Sequence, residues 1–324
     1  MIRCALVGCG NMGGFLDSPE DLHIVTHAHA LAAHPDTLLV ACCDPDAKQR
    51  QRFRERWGET IKPYASLQEM LQHETIDLLI ISSPTPFHAD ALKLALNSPA
   101  VHTVICEKPF VETQQELDEL LPIIFDGNKR LLINFMRRFD PSIRKAAALL
   151  HAKELGELRH FHGTFTKGLY HNGSHMLELI EHLCGPILNL TAIRSETIKD
   201  DFYGSFFLET PQCRGTLSNE TGDHYALFEL TVVLSRGRIR ILDSGHTIII
   251  DTLTPSKRYS GYTNLTPTHT LEETMSANTL NTLNFALTEE LAPLLSHHLK
   301  LSQKLLDIKT ALHDHLTLHW SPHV

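Results

Sequence analysis

The stretch Ile2-Arg-Cys-Ala-Leu-Val-Gly-Cys-Gly-Asn-Met-Gly13 decides the fold. A mostly apolar run from Ile2 to Val7 fits a strand buried on both faces, and glycines at 8, 10 and 13 follow it directly. A lone GxGxxG means little, because glycine is common. Directly behind a strand it acquires a mechanism. Gly8 permits a tight turn, Gly10 lets the backbone approach a pyrophosphate, and Gly13 lets the next helix pack closely on the strand. The first amides of that helix, at Asn11 and Met12, would then hold the phosphates. An acid is expected at the end of the second strand to bind the adenine ribose hydroxyls, and Asp44 stands there. It lies 31 residues past Gly13, where about 20 is usual. The excess implies an insertion between residues 17 and 29. An acid at 44 repels a 2′-phosphate, which favours NAD, while Arg50 and Arg52 keep NADP open.

Outward from this stretch, short apolar runs alternate with helical patterns. Runs at 38–43, 76–81 and 103–106 are separated by helix-like segments at 46–57 and 88–96, with another at 113–124. This is the mark of a parallel sheet. The run at 76–81 stops at Ser82-Ser83-Pro84-Thr85-Pro86, where two prolines forbid its continuation. The run at 103–106 ends at Glu107-Lys108-Pro109. After Asn134 the texture changes. A helix is expected at 141–150, then strands at 158–167, 187–196, 203–209, 213–219, 224–235, 237–243 and 246–252. Strands so closely spaced imply an antiparallel sheet. One helix interrupts them at 174–184 and is stopped by Gly185-Pro186. The tail from 276 is helical. The expected fold is therefore α/β: an N-terminal Rossmann dinucleotide-binding domain at 1–125 and a C-terminal α+β domain at 126–324 with an open, mainly antiparallel sheet. The last helices are expected to be able to pack back on the first domain.

The chain's 324 residues suit two domains of ordinary size. Lys plus Arg number 29 against 38 Asp plus Glu, so no basic surplus favours nucleic acid. No apolar run approaches the roughly 18 residues of a membrane span, and the N-terminus lacks the pattern of a signal peptide. A cytoplasmic protein is expected. Seven cysteines form no CxxC pair and read as buried, reduced thiols. The 22 histidines are the oddity, raising metal binding, proton transfer or compositional drift.

Gly8-x-Gly-x-x-Gly13, His88 after a strand, Glu107-Lys108-Pro109 and Gly173-Ser-His175 occur in this order. Together they resemble the glucose–fructose oxidoreductase/inositol dehydrogenase (Gfo/Idh/MocA) family over nearly the whole chain. The resemblance implies an NAD(P)-dependent oxidoreductase that moves hydride between nicotinamide and a secondary alcohol or ketone of a sugar or nucleotide sugar. It implies that Lys108 is the cation orienting the hydroxyl, that Pro109 shapes its turn through a cis bond, and that His175 is the general acid/base. Such chemistry needs a base for the hydroxyl proton and gains from a cation beside the developing alkoxide. Ser83, Pro84, His88, Glu107 and Lys108 join the cofactor residues. Asn134, Arg138, Lys167, Tyr170, His171 and Asn172 are candidates for meeting a polyhydroxylated, anionic substrate. For Arg138, a structural ion pair is an equal alternative. The resemblance also implies a homodimer or homotetramer, and the 26–29 and 167–175 segments look like members tied to surface-polysaccharide sugars.

Two departures matter. The common family pattern has an acid four residues before the catalytic histidine and another three after; here these are His171 and Glu178. His171 carries no permanent negative charge, so either it donates to substrate or the relay passes to Glu178. A metal site on His171, His175, Glu178 and His182 is a rival, spaced by 4, 3 and 4. Asn172-Gly173-Ser174 reads as a turn plus N-cap that leaves His171 outside the helix, so no metal is expected. The His27-x-His29 and His313-x-His315 clusters, the latter continuing to His319, read as solvated. Two other readings remain: a dinucleotide-sensing regulator without turnover, and a metal-dependent hydrolase.

Overall fold

The computed structural model describes residues 1–198, 201–222, 224–272, 274–311 and 317–321. The apolar runs of the first part pair as expected. In chain order its elements are β1 (Ile2–Val7), α1 (His27–Ala33), β2 (Thr37–Cys43), α2 (Ala47–Trp57), β3 (Lys62–Tyr64) and α3 (Leu67–His73), then β4 (Ile76–Ile81), α4 (His88–Asn97), β5 (Val101–Glu107), α5 (Gln114–Asp126) and β6 (Arg130–Asn134). The strands lie in the order β3-β2-β1-β4-β5-β6, every neighbouring pair parallel. Order reverses between β1 and β4, and dinucleotides bind at the carboxyl ends of strands at such a switch point. Burial on both faces explains why these strands read as continuous apolar runs: Leu78, Leu79, Ile80 and Ile81 are all buried.

The second part runs α6 (Pro141–His151), β7 (Leu158–Thr166), α7 (Gly173–Cys184), β8 (Asn189–Ile198), β9 (Asp201–Glu209), β10 (Arg214–Glu220), β11 (Phe228–Leu234), β12 (Gly237–Leu242), β13 (Thr247–Pro255) and β14 (Thr263–Leu271). It is followed by α8 (Asn278–Thr288), α9 (Ala292–Ala311) and the short β15 (Leu318–His319). A nine-stranded sheet results, in the order β14-β13-β12-β11-β7-β10-β9-β8-β15. Its pairs are antiparallel except β7 with β10. Alternating burial along β11 and β12 is the signature of a sheet with one packed face. Met176 of α7 presses against Gly163 of β7, where any Cβ would meet its sulfur at 3.1 Å.

Packing divides the chain into one unit of Met1–Met136 with Ser276–Leu306, and another of Arg137–Met275 with Asp307–Val324. The first unit thus runs past residue 125, because β6 adds a sixth parallel strand through Ile105–Leu132 and its neighbours. The tail helices also belong to it: Thr279 Oγ1 donates to the Thr26 carbonyl at 2.9 Å, and Arg130 donates to the carbonyls of Ala286 and Glu289. Sequence patterning overlooked β3, α3, β6 and β14, which are short or lack a clear apolar period.

The insertion after the glycine turn has an unexpected form. Past Gly10 the chain makes one wide helical turn, Asn11–Phe15, and a loop leads to α1. Buried Asp17 organises that loop. Its carboxylate accepts from the amides of Val25 and Thr26, from the Thr26 hydroxyl and from His29 Nδ1. The Thr26 side chain in turn caps α1 by accepting the His29 amide. His27 and His29 are therefore buried and paired with carboxylates rather than solvated. His313 and His315 lie outside the described residues.

Candidate functional site

In the first unit, residues singled out in the sequence gather at the carboxyl ends of β1, β2, β4 and β5. Gly8 adopts φ +94°, and a Cβ there would lie 2.5 Å from the Ser83 amide nitrogen. β1 and β4 therefore approach too closely for any side chain. Gly13 is equally constrained, with a virtual Cβ 2.1 Å from the Gly8 carbonyl oxygen. At Gly10 nothing lies within 4 Å, so its backbone faces open space. Asp44 ends β2 with its carboxylate accepting the Cys9 amide at 2.9 Å and the Asp46 amide at 2.9 Å. Its backbone carbonyl is held by Arg50 Nη1. The Arg52 guanidinium sits over the Phe15 ring, 4.7 Å from its centroid. The buried Ser83 hydroxyl has no hydrogen-bond partner among the described residues. An open glycine backbone, an acid at the end of β2 and an orphaned hydroxyl beside the turn fit a bound dinucleotide. Gly8, Gly10, Gly13 and the Asn11–Met12 turn would hold its pyrophosphate and Asp44 its ribose.

The loop after β5 is locked from both sides. Lys108 and Pro109 are joined by a cis bond, as the resemblance implied. Before it, the Glu107 carboxylate, 8% exposed, accepts from His27 Nε2 at 2.7 Å and Asn134 Nδ2 at 2.6 Å. The Asn134 oxygen accepts from Thr282 Oγ1 at 2.9 Å. After it, His88 Nδ1 bonds the Pro109 carbonyl at 2.9 Å while its Nε2 bonds the Ser83 carbonyl at 2.7 Å. His88 is thus a strut between two loops, its ring occupied by the protein's own backbone. Pro84 starts the turn that leads to it. Burial pushes the Glu107 carboxyl up, but the His27 and Asn134 hydrogen bonds and the Lys108 charge outweigh this and hold it below the usual carboxylate range.

In the second unit the 167–175 segment is bent back on itself. Lys167 and Gly168 both take left-handed backbone, at φ +71° and +77°. Residues Gly168–Asn172 form a wide helical turn that runs directly into α7. His171 therefore lies outside α7, just before its Asn172 N-cap, as the spacing suggested, but in a wide helical turn of its own. The reason is local: Ser174 Oγ donates to the His171 carbonyl instead of capping a new helix, and Asn172 Nδ2 donates to the Thr166 carbonyl. His175 is 5% exposed. Tyr170 is buried, its ring beneath the Lys309 ammonium at 4.9 Å. Lys167 is exposed. Arg138 forms an ion pair with Glu178, and His171 Nδ1 bonds Asp201 at 2.8 Å. Two members of the supposed metal face are thereby engaged by protein partners.

Sequence reasoning missed His27 as a partner of Glu107 and Asp201 as a partner of His171. Each pair is separated by dozens of residues and no local pattern links them.

The described fold agrees with known proteins. Residues 2–135 match the model of an oxidoreductase family with an NAD-binding Rossmann fold. The chain is 31% identical over 144 residues to an uncharacterized oxidoreductase of Schizosaccharomyces pombe, covering 44% of this chain and 39% of that protein. It is 28% identical over 166 residues to the dTDP-3,4-didehydro-2,6-dideoxy-alpha-D-glucose 3-reductase of Actinomadura kijaniata, covering 51% and 46%. The matches thus span about half the length of these relatives or less. A 3-ketoreductase from Actinomadura kijaniata, crystallised with NADP, superimposes with a TM-score of 0.72 at 20% identity, covering 95% of this chain and 96% of that one. That likeness is one of fold. No helix among the described residues is long and apolar enough to cross a membrane. The model that residues 2–135 match is that of the Gfo/Idh/MocA oxidoreductases, a family with an NAD-binding Rossmann fold, and this is the family to which the first part of the chain is similar.

Proposed function

We propose that the chain is an NAD(P)-dependent oxidoreductase acting on a secondary alcohol or ketone of a sugar or nucleotide sugar. One observation carries the reading: the glycine turn, the orphaned Ser83 hydroxyl and the clamped Glu107-Lys108-Pro109 loop follow β1, β4 and β5 of one parallel sheet. A nicotinamide bound there would supply the hydride acceptor or donor. The protein's part is positional and protonic. Lys108, fixed between the Glu107 clamp and the His88 strut, places an ammonium against the substrate oxygen and stabilises the alkoxide. His175 takes the hydroxyl proton in oxidation and returns it in reduction, a task suited to an imidazole near neutral pH. The Asp44 carboxylate favours NAD, and the substrate class follows the dTDP-sugar reductase among the relatives. A role in surface-polysaccharide sugar synthesis and a homo-oligomeric, cytoplasmic enzyme complete the proposal.

The test is absorbance at the reduced-nicotinamide band with NAD and NADP against a panel of free sugars and nucleotide sugars. Turnover is expected on at least one, falling about 10²–10⁴-fold in Lys108→Ala and His175→Ala. Tight dinucleotide binding with no turnover on any member of the panel would instead favour a sensing protein.

A further inference from the structure

We propose that Cys184 and Cys213 are a redox-active thiol pair that a hydroperoxide converts to a disulfide. The inference concerns the second unit alone and does not depend on the oxidoreductase reading. Cys184 is the last residue of α7, and Cys213 closes the turn between β9 and β10. The Thr210 amide donates to the Cys213 carbonyl at 2.9 Å, and Thr210 Oγ1 accepts the Cys213 amide at 3.2 Å, which fixes that turn. α7 ends directly against it. A Cβ at Gly185 would lie 3.8 Å from Pro211 Cδ and 3.9 Å from Gln212 Nε2, and the Leu188 amide donates to the Glu209 carbonyl at 2.8 Å. The two thiols meet there, the Cys184 S–H donating to the Cys213 sulfur.

The two sulfurs are unequal. Cys184 is wholly buried, whereas Cys213 is 8% exposed and lines a surface cavity of about 480 Å³ with Arg159, Leu188 and Arg214. The hydrogen bond from Cys184 brings the Cys213 thiol down to about 7 against the effect of burial, and the same bond pushes Cys184 well up. At pH 7 about half of Cys213 is then thiolate, against about 3% of an ordinary thiol near 8.5. Cys213 is therefore the nucleophile and Cys184 the resolving thiol. The Cys213 thiolate attacks the hydroxyl oxygen of the peroxide and the O–O bond breaks. The other oxygen leaves as an alkoxide or hydroxide, takes up the proton that Cys213 released, and Cys213 becomes a sulfenic acid. The Cys184 sulfur then attacks the sulfenic sulfur, its proton passes to the departing hydroxyl, and water leaves as the disulfide forms. Two thiols have lost two electrons and two protons, and the peroxide has gained them. Cys9 and Cys42 form a second hydrogen-bonded pair, but both are wholly buried, out of reach of the peroxide.

The test exposes the reduced full chain briefly to hydrogen peroxide at pH 7, alkylates the remaining thiols in denaturant and maps the peptides by mass. A Cys184–Cys213 cross-link is expected, lighter than the two reduced peptides by about 2 Da and opened by a dithiol reductant, with the other cysteines still alkylated. Peroxide consumption is expected to rise with a midpoint near pH 7 and to run at least 10-fold faster than in Cys213→Ser. Cys184→Ala removes the resolving thiol and its hydrogen bond, so Cys213 should oxidise more slowly and stop as a dimedone-reactive sulfenic acid. The absence of the cross-link overturns the proposal, whether the thiols stay reduced, another pair joins, or two copies of the chain are linked instead. Oxidation of wild-type Cys213 past the sulfenic stage without a bond to Cys184 overturns it as well. The mapping is done on the unaltered chain, so it decides the matter even if a variant fails to fold.

Discussion

His27→Leu tests the first unit's site most sharply, because it removes one end of a buried hydrogen-bonded chain while roughly keeping volume. The Glu107 carboxylate accepts from His27 at 2.7 Å and Asn134 at 2.6 Å. Leucine takes away the first bond and leaves the second. Removing one partner of a buried polar pair costs about 1–3 kcal/mol, and about 3–5 when a wholly unpaired charge remains. With Asn134 retained, about 2–3 kcal/mol is expected. At about 2–4 °C per kcal/mol, the melting temperature falls by about 4–12 °C. The pH dependence has a definite sign. In the wild type, burial raises the Glu107 carboxyl, but His27, Asn134 and Lys108 together hold it low. A carboxyl depressed in the folded state contributes stability above its unfolded pKa of about 4.3, and that contribution is lost as pH falls through the folded value. Without His27, burial is less opposed and the contribution shrinks. The gap between wild type and variant is therefore widest near neutrality and closes below about pH 4. Thermal melts at pH 7 and pH 3 read both effects, and a double-mutant cycle with Glu107→Gln isolates a coupling of about 1–3 kcal/mol. A variant that melts like wild type at pH 7, or a gap as wide at about pH 3 as at pH 7, refutes the reasoning.

Gly10→Ala should leave stability within about 0.5 kcal/mol, since its φ of −91° suits alanine and its Cβ meets nothing. The same methyl should weaken NADH binding at least 10-fold by fluorescence titration, and undiminished binding would remove the pyrophosphate assignment. Asp44→Asn should raise the affinity for NADPH relative to NADH, because the repelling charge is gone; an unchanged ratio would mean that Asp44 does not face the ribose. Asp251→Asn should cost about 3 kcal/mol in urea unfolding at pH 7. Its fully buried carboxylate holds both Arg238 and Arg240, and an amide cannot serve the two guanidinium groups alike. Burial raises this carboxyl, but the two arginines override it and keep it low, so the cost should shrink as pH falls below about 4. An equal cost at pH 7 and pH 3.5 would refute the assignment.

The two histidine-rich segments divide what was legible from what was not. The family resemblance singled out His175 through a local run, Gly173-Ser-His175, and the structure places that residue in the first turn of α7. The same spacing placed His27 and His29 in solvent, because an x-His-x-His pattern says nothing about what lies across from it. The structure sets Glu107 and Asp17 opposite these rings. Cap rules rightly set His171 before α7, but they expected a side chain to cap that helix; Ser174 bonds backward to the His171 carbonyl instead.

By itself the sequence determined the parallel sheet, the glycine turn, Asp44, the Lys108 loop and the change to an antiparallel second part. These are local signals: apolar runs of four to six residues, glycines where no Cβ fits, and prolines that end strands. Only the tertiary structure decided the extent of the first unit, the form of the insertion and the partners of the buried charges. Those depend on contacts between residues dozens to hundreds of positions apart, such as Glu107 with His27 and Thr279 with Thr26. A buried carboxylate must find its donors wherever the fold brings them.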